Sequence, residues 1–242
     1  MQRAFENSID AVSDRDFVQE FLAVAAILAT HASRLASDLT RWTDESLGWA
    51  SLDEAYSTGS SMMPQKRNPD VAELARGRAG GLIGNLVGML TTLKGLPTSY
   101  NRDLQEDKRP VFASVDSLSV ALPAVAGAVR TAGFRPDRIR GALDTELLAT
   151  DLADYLVRRG VPFRRSHDAV GHLVRRAEEL GCSIEDLSDE EFHAANPAFE
   201  PDVRDVFQWE RSVEARQATG GTGRAAVERQ IEEAKRRLSG AR

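Results

Sequence analysis

A polar stretch in the first third of the chain, GSSMMPQKRNPD at residues 59–70, combines side chains suited to binding an anion. Ser60 and Ser61 supply hydroxyl groups, and Lys66 and Asn68 supply an ammonium and an amide. The Asn-Pro pair predicts that a helix begins here, with the asparagine as N-cap. Because N–H groups and the dipole at a helix N-terminus favour negative charge, the segment suits a carboxylate or phosphate. A solvated loop beside an N-cap is the alternative.

The composition narrows the classes of protein and partner. Of 242 residues, 42% are hydrophobic and 28% charged, which is an ordinary balance for a globular protein. The net charge of -6 is spread along the chain and forms no basic stripe, so nucleic acid is not an expected partner. A single cysteine, Cys182, excludes an internal disulfide and a cysteine-based zinc site, and no metal or other cofactor is expected.

The sequence also predicts a location. The first residues lack the apolar segment of a secretory signal. The longest weakly polar run, from Phe17 to Thr30, is too short to span a bilayer. We therefore expect a soluble cytoplasmic protein that does not enter a membrane.

Apolar residues recur at helical spacing through the first half of the chain. A capping box at Ser13 and Asp16 predicts the start of a long helix that ends near Trp42. Its expected apolar face consists of Phe17, Phe21, Val24, Leu28 and Leu35. A second helix after Asn68 has an expected face of Val71, Leu74, Leu82, Leu86, Met89 and Leu93. Its glycines indicate the close approach of another helix and are Gly77, Gly81, Gly84 and Gly88.

A third long helix is predicted from about Asp107 to Thr131, and beyond residue 135 the helices become shorter and Gly and Pro more frequent. No alternating run of Val, Ile and Thr indicates a sheet. The predicted fold class is therefore all-α: a long-helix bundle segment at 1–135 and a smaller C-terminal helical domain at 136–242.

The string GSSMMPQKRNP closely resembles the signature loop of the fumarase/aspartase superfamily, whose members release fumarate, or a similar acid, from substituted succinates. Gln65, between the proline and the lysine, is typical of the argininosuccinate lyase branch. The segment YNRDLQEDK at residues 100–108 resembles a second stretch of that branch. NSIDAVSDRDFV and ATDLADYLVRRGVPFRRSH also resemble it, so the resemblance covers essentially the whole chain.

The resemblance implies a β-elimination of argininosuccinate to arginine and fumarate, a step of arginine biosynthesis. Ser60 matches the general base, with Ser61 as the other candidate or a substrate contact. Lys66, of the catalytic set, and Asn68 match residues that hold a substrate carboxylate. Glu73 matches the carboxylate that pairs with the family's catalytic histidine, an arrangement that fixes an imidazole tautomer.

Three further residues, Tyr100, Gln105 and Lys108, match substrate-binding positions of the family. The four histidines fall in no matching motif, and we expect structural or surface roles for His31, His167, His172 and His193. The TGGTG string at residues 219–223 lacks the Lys-Ser/Thr and the preceding strand of a phosphate-binding loop.

The resemblance extends only to the C-terminal half of the family. Family members are about twice as long, and their N-terminal half supplies a Ser-Arg-Asn segment and the Thr-His segment with the catalytic histidine. The family forms homotetramers whose active sites draw on three subunits. A truncated product, half of a split enzyme completed by another polypeptide, and a non-catalytic structural or assembly relative are the alternatives. Another fumarate-releasing lyase, such as adenylosuccinate lyase, is the closest enzymatic alternative. For a chain without the N-terminal half we expect exposed apolar faces on the helices at 13–42 and 69–94, and therefore oligomers or insolubility rather than a monomer.

Overall fold

Helices dominate the computed structural model, which describes residues 5–240, and the predicted all-α class is confirmed. The chain forms two compact units, the first ending at Gly141 and the second beginning at Ala142. The predicted boundary near residue 135 lies shortly before the end of the first unit. The helices of the first unit are α1 (Ser8–Ser13), α2 (Asp16–Thr43), α3 (Asp70–Leu93), α4 (Lys108–Thr131) and α5 (Pro136–Gly141).

Two short antiparallel ladders join the ends of these helices. Strand β1 (Ala50–Ser51) pairs with β4 (Gly133–Phe134). Strand β2 (Thr58–Gly59) pairs with β3 (Arg67–Asn68). Each strand is only two residues long. The ladders link segments that lie between the helices, and the fold class stays all-α.

The long helices α2, α3 and α4 each run antiparallel to the next one in the sequence. Together they bury a thin core that is rich in alanine. At one end Val18 and Leu22 of α2 meet Met89 of α3. Small side chains fill the middle of the bundle, namely Ala25, Ala29, Ala79 and Leu82. At the other end the cluster consists of Ala36, Leu39, Leu52, Ala72, Ala75, Val125 and Ala128. Small residues at the contacts let the helix axes approach closely, which lowers the apolar area buried inside this unit.

The predicted helix starts are wrong by a few residues. Ser13 lies in α1, where its hydroxyl donates to the Ile9 and Asp10 carbonyls, so the capping box does not form and Arg15 precedes α2. Asn68 belongs to β3 and pairs with Thr58, so Pro69 takes the N-cap position of α3. In both places a local alternative partner for the backbone competes with the expected cap.

The expected apolar face of α2 exists, but it is not the face buried within this chain. Phe17, Val24 and Leu28 are exposed, whereas the buried stripe is Val18, Leu22, Ala25, Ala26, Ala29, Ala36 and Leu39. In α3, Leu74 is likewise 61% exposed. The glycines of α3 also face open space: a Cβ atom at Gly77, Gly81, Gly84 or Gly88 would meet nothing within 4 Å. The predicted helix approach at these glycines is therefore not made within this chain.

The third long helix, α4, also has apolar surface that this chain leaves exposed. The stretch Arg102–Thr131 is long and apolar enough to pass a length-and-composition test for a membrane span, and 22% of its most apolar window is buried. This stretch is longer than the run from Phe17 to Thr30, on which the expectation that the chain does not enter a membrane rests. A helix that is covered by other polypeptide in a larger bundle has the same composition as a membrane span, because neither environment exposes the helix to water.

The second unit packs its own dense core. Its helices are α6 (Ala149–Arg158), α7 (Phe163–Leu180), α8 (Asp189–Ala195), α9 (Trp209–Glu214) and α10 (Arg224–Gly240). Phe192 lies at its centre, with ring centroids 5.5 Å from Phe199 and 6.2 Å from Phe207. Gly181, at a φ of 65°, ends α7 in the left-handed conformation that glycine adopts without a Cβ penalty.

Candidate functional site

The serine segment, residues 59–70, forms most of a hairpin that lies directly before α3. Strands β2 and β3 pair Thr58 with Asn68 and Gly59 with Arg67. The ladder continues into the tip, where the Ser60 N–H donates to the Lys66 carbonyl at 3.3 Å. The Lys66 N–H in turn donates to the Met63 carbonyl at 3.0 Å. The hairpin thus places the ends of the GSSMMPQK string side by side on an exposed tip.

The two serines of the tip differ in their surroundings. The Ser60 hydroxyl oxygen accepts hydrogen bonds from the backbone N–H groups of Met62 and Met63, both at 3.2 Å. Donors aimed at an oxygen stabilise negative charge on it. Ser61 is exposed, and within residues 5–240 its hydroxyl makes no hydrogen bond. The local geometry therefore favours an anionic oxygen at Ser60 over one at Ser61.

The base of the hairpin is braced from three sides. Arg67 Nη2 donates to Glu54 Oε1 at 2.6 Å, and the Thr58 hydroxyl donates to the Asp70 carboxylate. The Tyr56 ring lies directly against the backbone of Gly127 in α4, in space that a Cβ atom would occupy. The contacts of Thr58 and Tyr56 attach the hairpin to α3 and α4, the contact of Arg67 attaches it to the turn just before it, and Ser61 and Met62 at the tip are exposed.

Asn68 lines a cavity of about 430 Å³ beside the hairpin. Gln65 and Arg67 line it from the hairpin, and Arg135 and Arg138 line it from the end of the first unit. Its charged lining comprises these three guanidinium groups and one carboxylate, that of Glu45. Glu54 offsets the charge of Arg67, but the lining still carries more positive than negative charge, which favours an anion in this cavity.

The charge of Lys66 also reaches the end of α2. Hydrogen bonds from the Ser46 hydroxyl and backbone N–H, together with the positive charge of Lys66, lower the pKa of the Asp44 carboxyl. Lys66 is half-buried, and no ion pair involving its ammonium forms within the described residues. It therefore retains donors for a ligand.

Glu73 lies in the first turn of α3 and is exposed, one turn after the hairpin. Asp70 shares that turn, so the helix N-terminus already holds two carboxylates of its own. These acids offset part of the helix dipole. The anion affinity predicted for this N-terminus consequently rests on Lys66 and the arginines of the cavity more than on the dipole.

The second group of predicted site residues, Tyr100, Gln105 and Lys108, lies in the segment that joins α3 to α4. Gln105 Nε2 donates to the Tyr100 hydroxyl at 3.3 Å, so these two side chains are brought together. Lys108 Nζ donates to Asp107 Oδ1 at 2.7 Å. Both Tyr100 and Lys108 are exposed, as a substrate-binding role requires.

The two predicted groups lie at opposite ends of α3. The serine hairpin precedes the helix and the segment with Tyr100, Gln105 and Lys108 follows it. A helix of 24 residues is about 35 Å long at 1.5 Å per residue. One copy of the chain therefore does not bring the two groups into a single site.

Two residues of interest were missed by the sequence reasoning. Asp107 is 7% exposed and accepts bonds from both Lys108 and Arg15, the latter from Nε at 2.7 Å. The position of Asp107 directly before Lys108 in YNRDLQEDK was a signal in the sequence, whereas nothing near Arg15 indicated a partner 92 residues away. All four histidines are exposed. Across residues 5–240, no three His, Cys, Asp or Glu side chains are grouped so as to hold a metal ion.

Comparison with known proteins yields a consistent set of relatives. Residues 146–214 match the family model described as argininosuccinate lyase C-terminal, and residues 2–84 match the model described as lyase. The argininosuccinate lyase of Roseiflexus sp. (strain RS-1) is 57% identical over 95% of this chain and 50% of its own length. That of Frankia casuarinae is 54% identical over the same shares.

Solved structures agree with the sequence relatives. EDDS lyase in complex with formate superposes with a TM-score of 0.85 and 32% identity, over 97% of this chain and 48% of that one. A class II fumarase from Schistosoma mansoni has a TM-score of 0.69 at 18% identity over 86% and 42% of the two chains, a likeness of fold. The chain spans about half the length of the curated relatives it matches. It belongs to the argininosuccinate lyase family, as the resemblance of its serine segment predicted.

Proposed function

We propose that this chain is the C-terminal half of an argininosuccinate lyase and supplies the serine hairpin to its active site. The observation that carries the proposal is the Ser60 hydroxyl oxygen, which two backbone N–H groups address at 3.2 Å on an exposed tip. The relatives' names supply the substrate, and the family supplies the reaction class.

The proposed reaction is a β-elimination. The Ser60 alkoxide removes the Cβ proton of argininosuccinate, and the electron pair of that C–H bond moves toward the adjacent carboxylate. The resulting doubly charged aci-carboxylate needs preorganised donors, which Lys66 and Asn68 provide. When the C–N bond breaks, the pair forms the C=C bond of fumarate, and the nitrogen that becomes part of arginine gains a proton.

The proton for the leaving nitrogen must come from outside the described residues of this chain. We assign it to an imidazole on the complementing N-terminal half, with Glu73 as the carboxylate that fixes its tautomer. Glu73 is exposed and its carboxylate forms no ion pair within residues 5–240, so it is available to such a partner. Tyr100, Gln105 and Lys108 would bind the carboxylates and amino-acid end of the substrate.

The length of α3 implies that the complete site draws on more than one copy. The hairpin of one copy and the Tyr100 segment of another meet if two α3 helices pack antiparallel, because that places opposite ends together. The open glycine positions of α3 and the exposed Phe17, Val24 and Leu28 of α2 provide an apolar face for such packing. These observations support association of the chains, and from the family resemblance we infer a homotetramer, completed by the N-terminal half, that acts on a small molecule in the cytoplasm.

The test follows fumarate absorbance after argininosuccinate is added. The chain is measured alone and mixed with the N-terminal half of the Roseiflexus relative. We expect activity only in the mixture and a loss of about 10²–10⁴-fold with Ser60→Ala, the range for removing a positioned base. Ser61→Ala is the matched control and should retain most activity. A folded, co-assembled mixture without activity on argininosuccinate or adenylosuccinate would support a non-catalytic assembly protein instead.

A further inference from the structure

Asp107 is the charged residue that the described part of the chain buries most completely, at 7% exposure. It lies at the junction between the turn after Tyr100 and the start of α4. One carboxylate oxygen accepts from Arg15 Nε at 2.7 Å, and the other accepts from Lys108 Nζ at 2.7 Å. A buried carboxylate requires such partners, because an unpaired charge away from water is strongly unfavourable.

The two cations differ in what they can still do. Arg15 is largely buried, and its Nη1 also donates to the Asp14 carbonyl at 2.6 Å, so it is fixed in the bundle at the start of α2. The Lys108 side chain is 60% exposed. An ammonium has three N–H donors, and Asp107 uses one of them. Two donors of Lys108 therefore face solvent and a potential ligand.

The charge balance explains why two cations surround one carboxylate. A lone Asp107–Lys108 pair would be neutral overall and would attract a substrate carboxylate weakly. With Arg15 included, the three residues carry a net charge of +1. Arg15 thus cancels the repulsion between Asp107 and an incoming anion while Asp107 restricts where the Lys108 ammonium lies.

We propose that Asp107 is a positioning residue that holds the Lys108 ammonium toward the substrate, with Arg15 as the buried cation that makes this arrangement attractive to an anion. The proposal rests on the proposed lyase function, for which Lys108 is a substrate-binding residue. Asp107 touches no reacting atom. Burial alone would raise the pKa of its carboxyl, but the bonds from Lys108 and Arg15 outweigh burial and lower it, so the positioning group is ionised at neutral pH.

The first test measures Lys108 itself and requires no catalysis. The full chain is acetylated with a limiting amine-reactive reagent, and the labelling rate of Lys108 is followed by peptide mass spectrometry. Asp107→Asn should label Lys108 several-fold faster than the wild type, because its nitrogen no longer donates to a carboxylate. Glu106→Gln, which alters the neighbouring exposed carboxylate 4.0 Å from Arg109, is the matched control and should leave the rate unchanged. Equal rates in Asp107→Asn and the wild type overturn the proposal.

A second variant, Arg15→Gln, should change the labelling rate of Lys108 in the opposite direction. It provides an independent test if Asp107→Asn does not fold. Arg15→Gln leaves Asp107 paired with Lys108 alone, so Lys108 should be labelled more slowly than in the wild type. Unchanged or faster labelling in a folded Arg15→Gln chain contradicts the arrangement. Circular dichroism confirms helix content for each variant, and Asp107→Glu should restore a labelling rate close to that of the wild type.

The second test uses the complemented enzyme and separates positioning from structure. Asp107→Asn should raise KM for argininosuccinate by about tenfold, because losing the fixed position of the Lys108 ammonium outweighs the removal of one negative charge, and kcat should change less. A fall in kcat at unchanged KM would indicate a structural role. If the wild-type mixture is inactive, the proposed function fails, while the labelling rates still decide whether Asp107 holds Lys108.

Discussion

The two units of this chain solve the problem of burying apolar surface in different ways. The second unit surrounds Phe192 with further aromatic and aliphatic side chains, and an arginine, Arg204, lies 4.9 Å over its ring. The first unit divides its buried residues among three small clusters, and alanine predominates in two of them. It also exposes large side chains on its long helices, among them Phe17, Val24 and Phe112.

The difference indicates what each unit needs. A helix that is apolar on several faces is stable only when all of those faces are covered. The second unit covers the helices around Phe192 by itself, although α10 leaves Val227, Ile231 and Leu238 exposed. The first unit leaves faces of α2, α3 and α4 uncovered, and its two groups of candidate site residues lie at opposite ends of α3. Stability and function of the first unit therefore both point to additional polypeptide.

Of the substitutions that test this difference between the two units, Phe192→Ala should have the largest effect. Removing a fully buried aromatic ring from the dense core should lower the free energy of unfolding of the second unit by about 3–5 kcal/mol. Hydrogen exchange in urea, resolved by peptide, should show the loss in the second unit only. Phe163→Ala, at a 65% exposed position of the same unit, serves as the control and should change little. Equal losses in both units would show that they do not fold independently.

The exposed face of α2 can be tested by a pair of valine substitutions. Val24→Asp places a charge on the uncovered face, at a position 64% exposed in the single chain. It should weaken self-association by at least about tenfold, because an unpaired charge in an apolar interface is unfavourable. Val213→Asp, on the surface of the second unit, should leave association unchanged. Sedimentation velocity measures both. A monomeric wild type would remove the basis of the proposed tetramer.

Two glycines allow a comparison between a position where a neighbouring side chain occupies the space of a Cβ atom and a position where that space is open. Gly127→Ala forces the Tyr56 ring away from α4 and should destabilise the first unit by about 1–3 kcal/mol, as overpacking does. Gly84→Ala meets no neighbour and should stabilise the single chain by up to about 1 kcal/mol through helix propensity. Urea denaturation of dilute, monomeric protein measures both. The same Gly84→Ala should weaken association if another helix packs there, and unaltered association would place the interface elsewhere.

Local patterns predicted the elements well and their partners poorly. The sequence located the end of α2 and both ends of α4 nearly to the residue, because helical spacing is a property of the local sequence. Phe17 and Leu74 are exposed in the single chain, as expected for apolar faces that lack the N-terminal half, since periodicity identifies an apolar face without saying which molecule covers it. The hairpin that displaces Asn68 from the helix cap depends on its pairing with Thr58. The Arg15–Asp107 bond joins residues 92 positions apart, and no local pattern indicates it. The catalytic and binding roles of the eight candidate residues stay predictions.

The smallest predicted effect concerns pH and the buried carboxylate of the first unit. Hydrogen bonds from Lys108 and Arg15 lower the pKa of Asp107 in the folded chain, although burial opposes them. The unfolded chain has an aspartate pKa of about 3.9, so the stabilisation by this carboxylate is fully present above that pH. It is lost as the pH falls through the lower pKa of the folded state.

Asp107→Asn should therefore be less stable than the wild type at pH 7, and the difference should shrink as the pH falls below about 4. Urea midpoints across this range measure the difference. Other carboxyls with a lowered pKa, including those of Asp44 and Asp202, are present in both proteins, so their titration cancels in the comparison. Glu106→Gln should show a difference from wild type that is small at every pH, because its carboxylate is exposed and only weakly paired. A constant gap between wild type and Asp107→Asn from pH 7 to pH 2 would mean that the amide disturbs packing, and that the charge of Asp107 contributes nothing to stability.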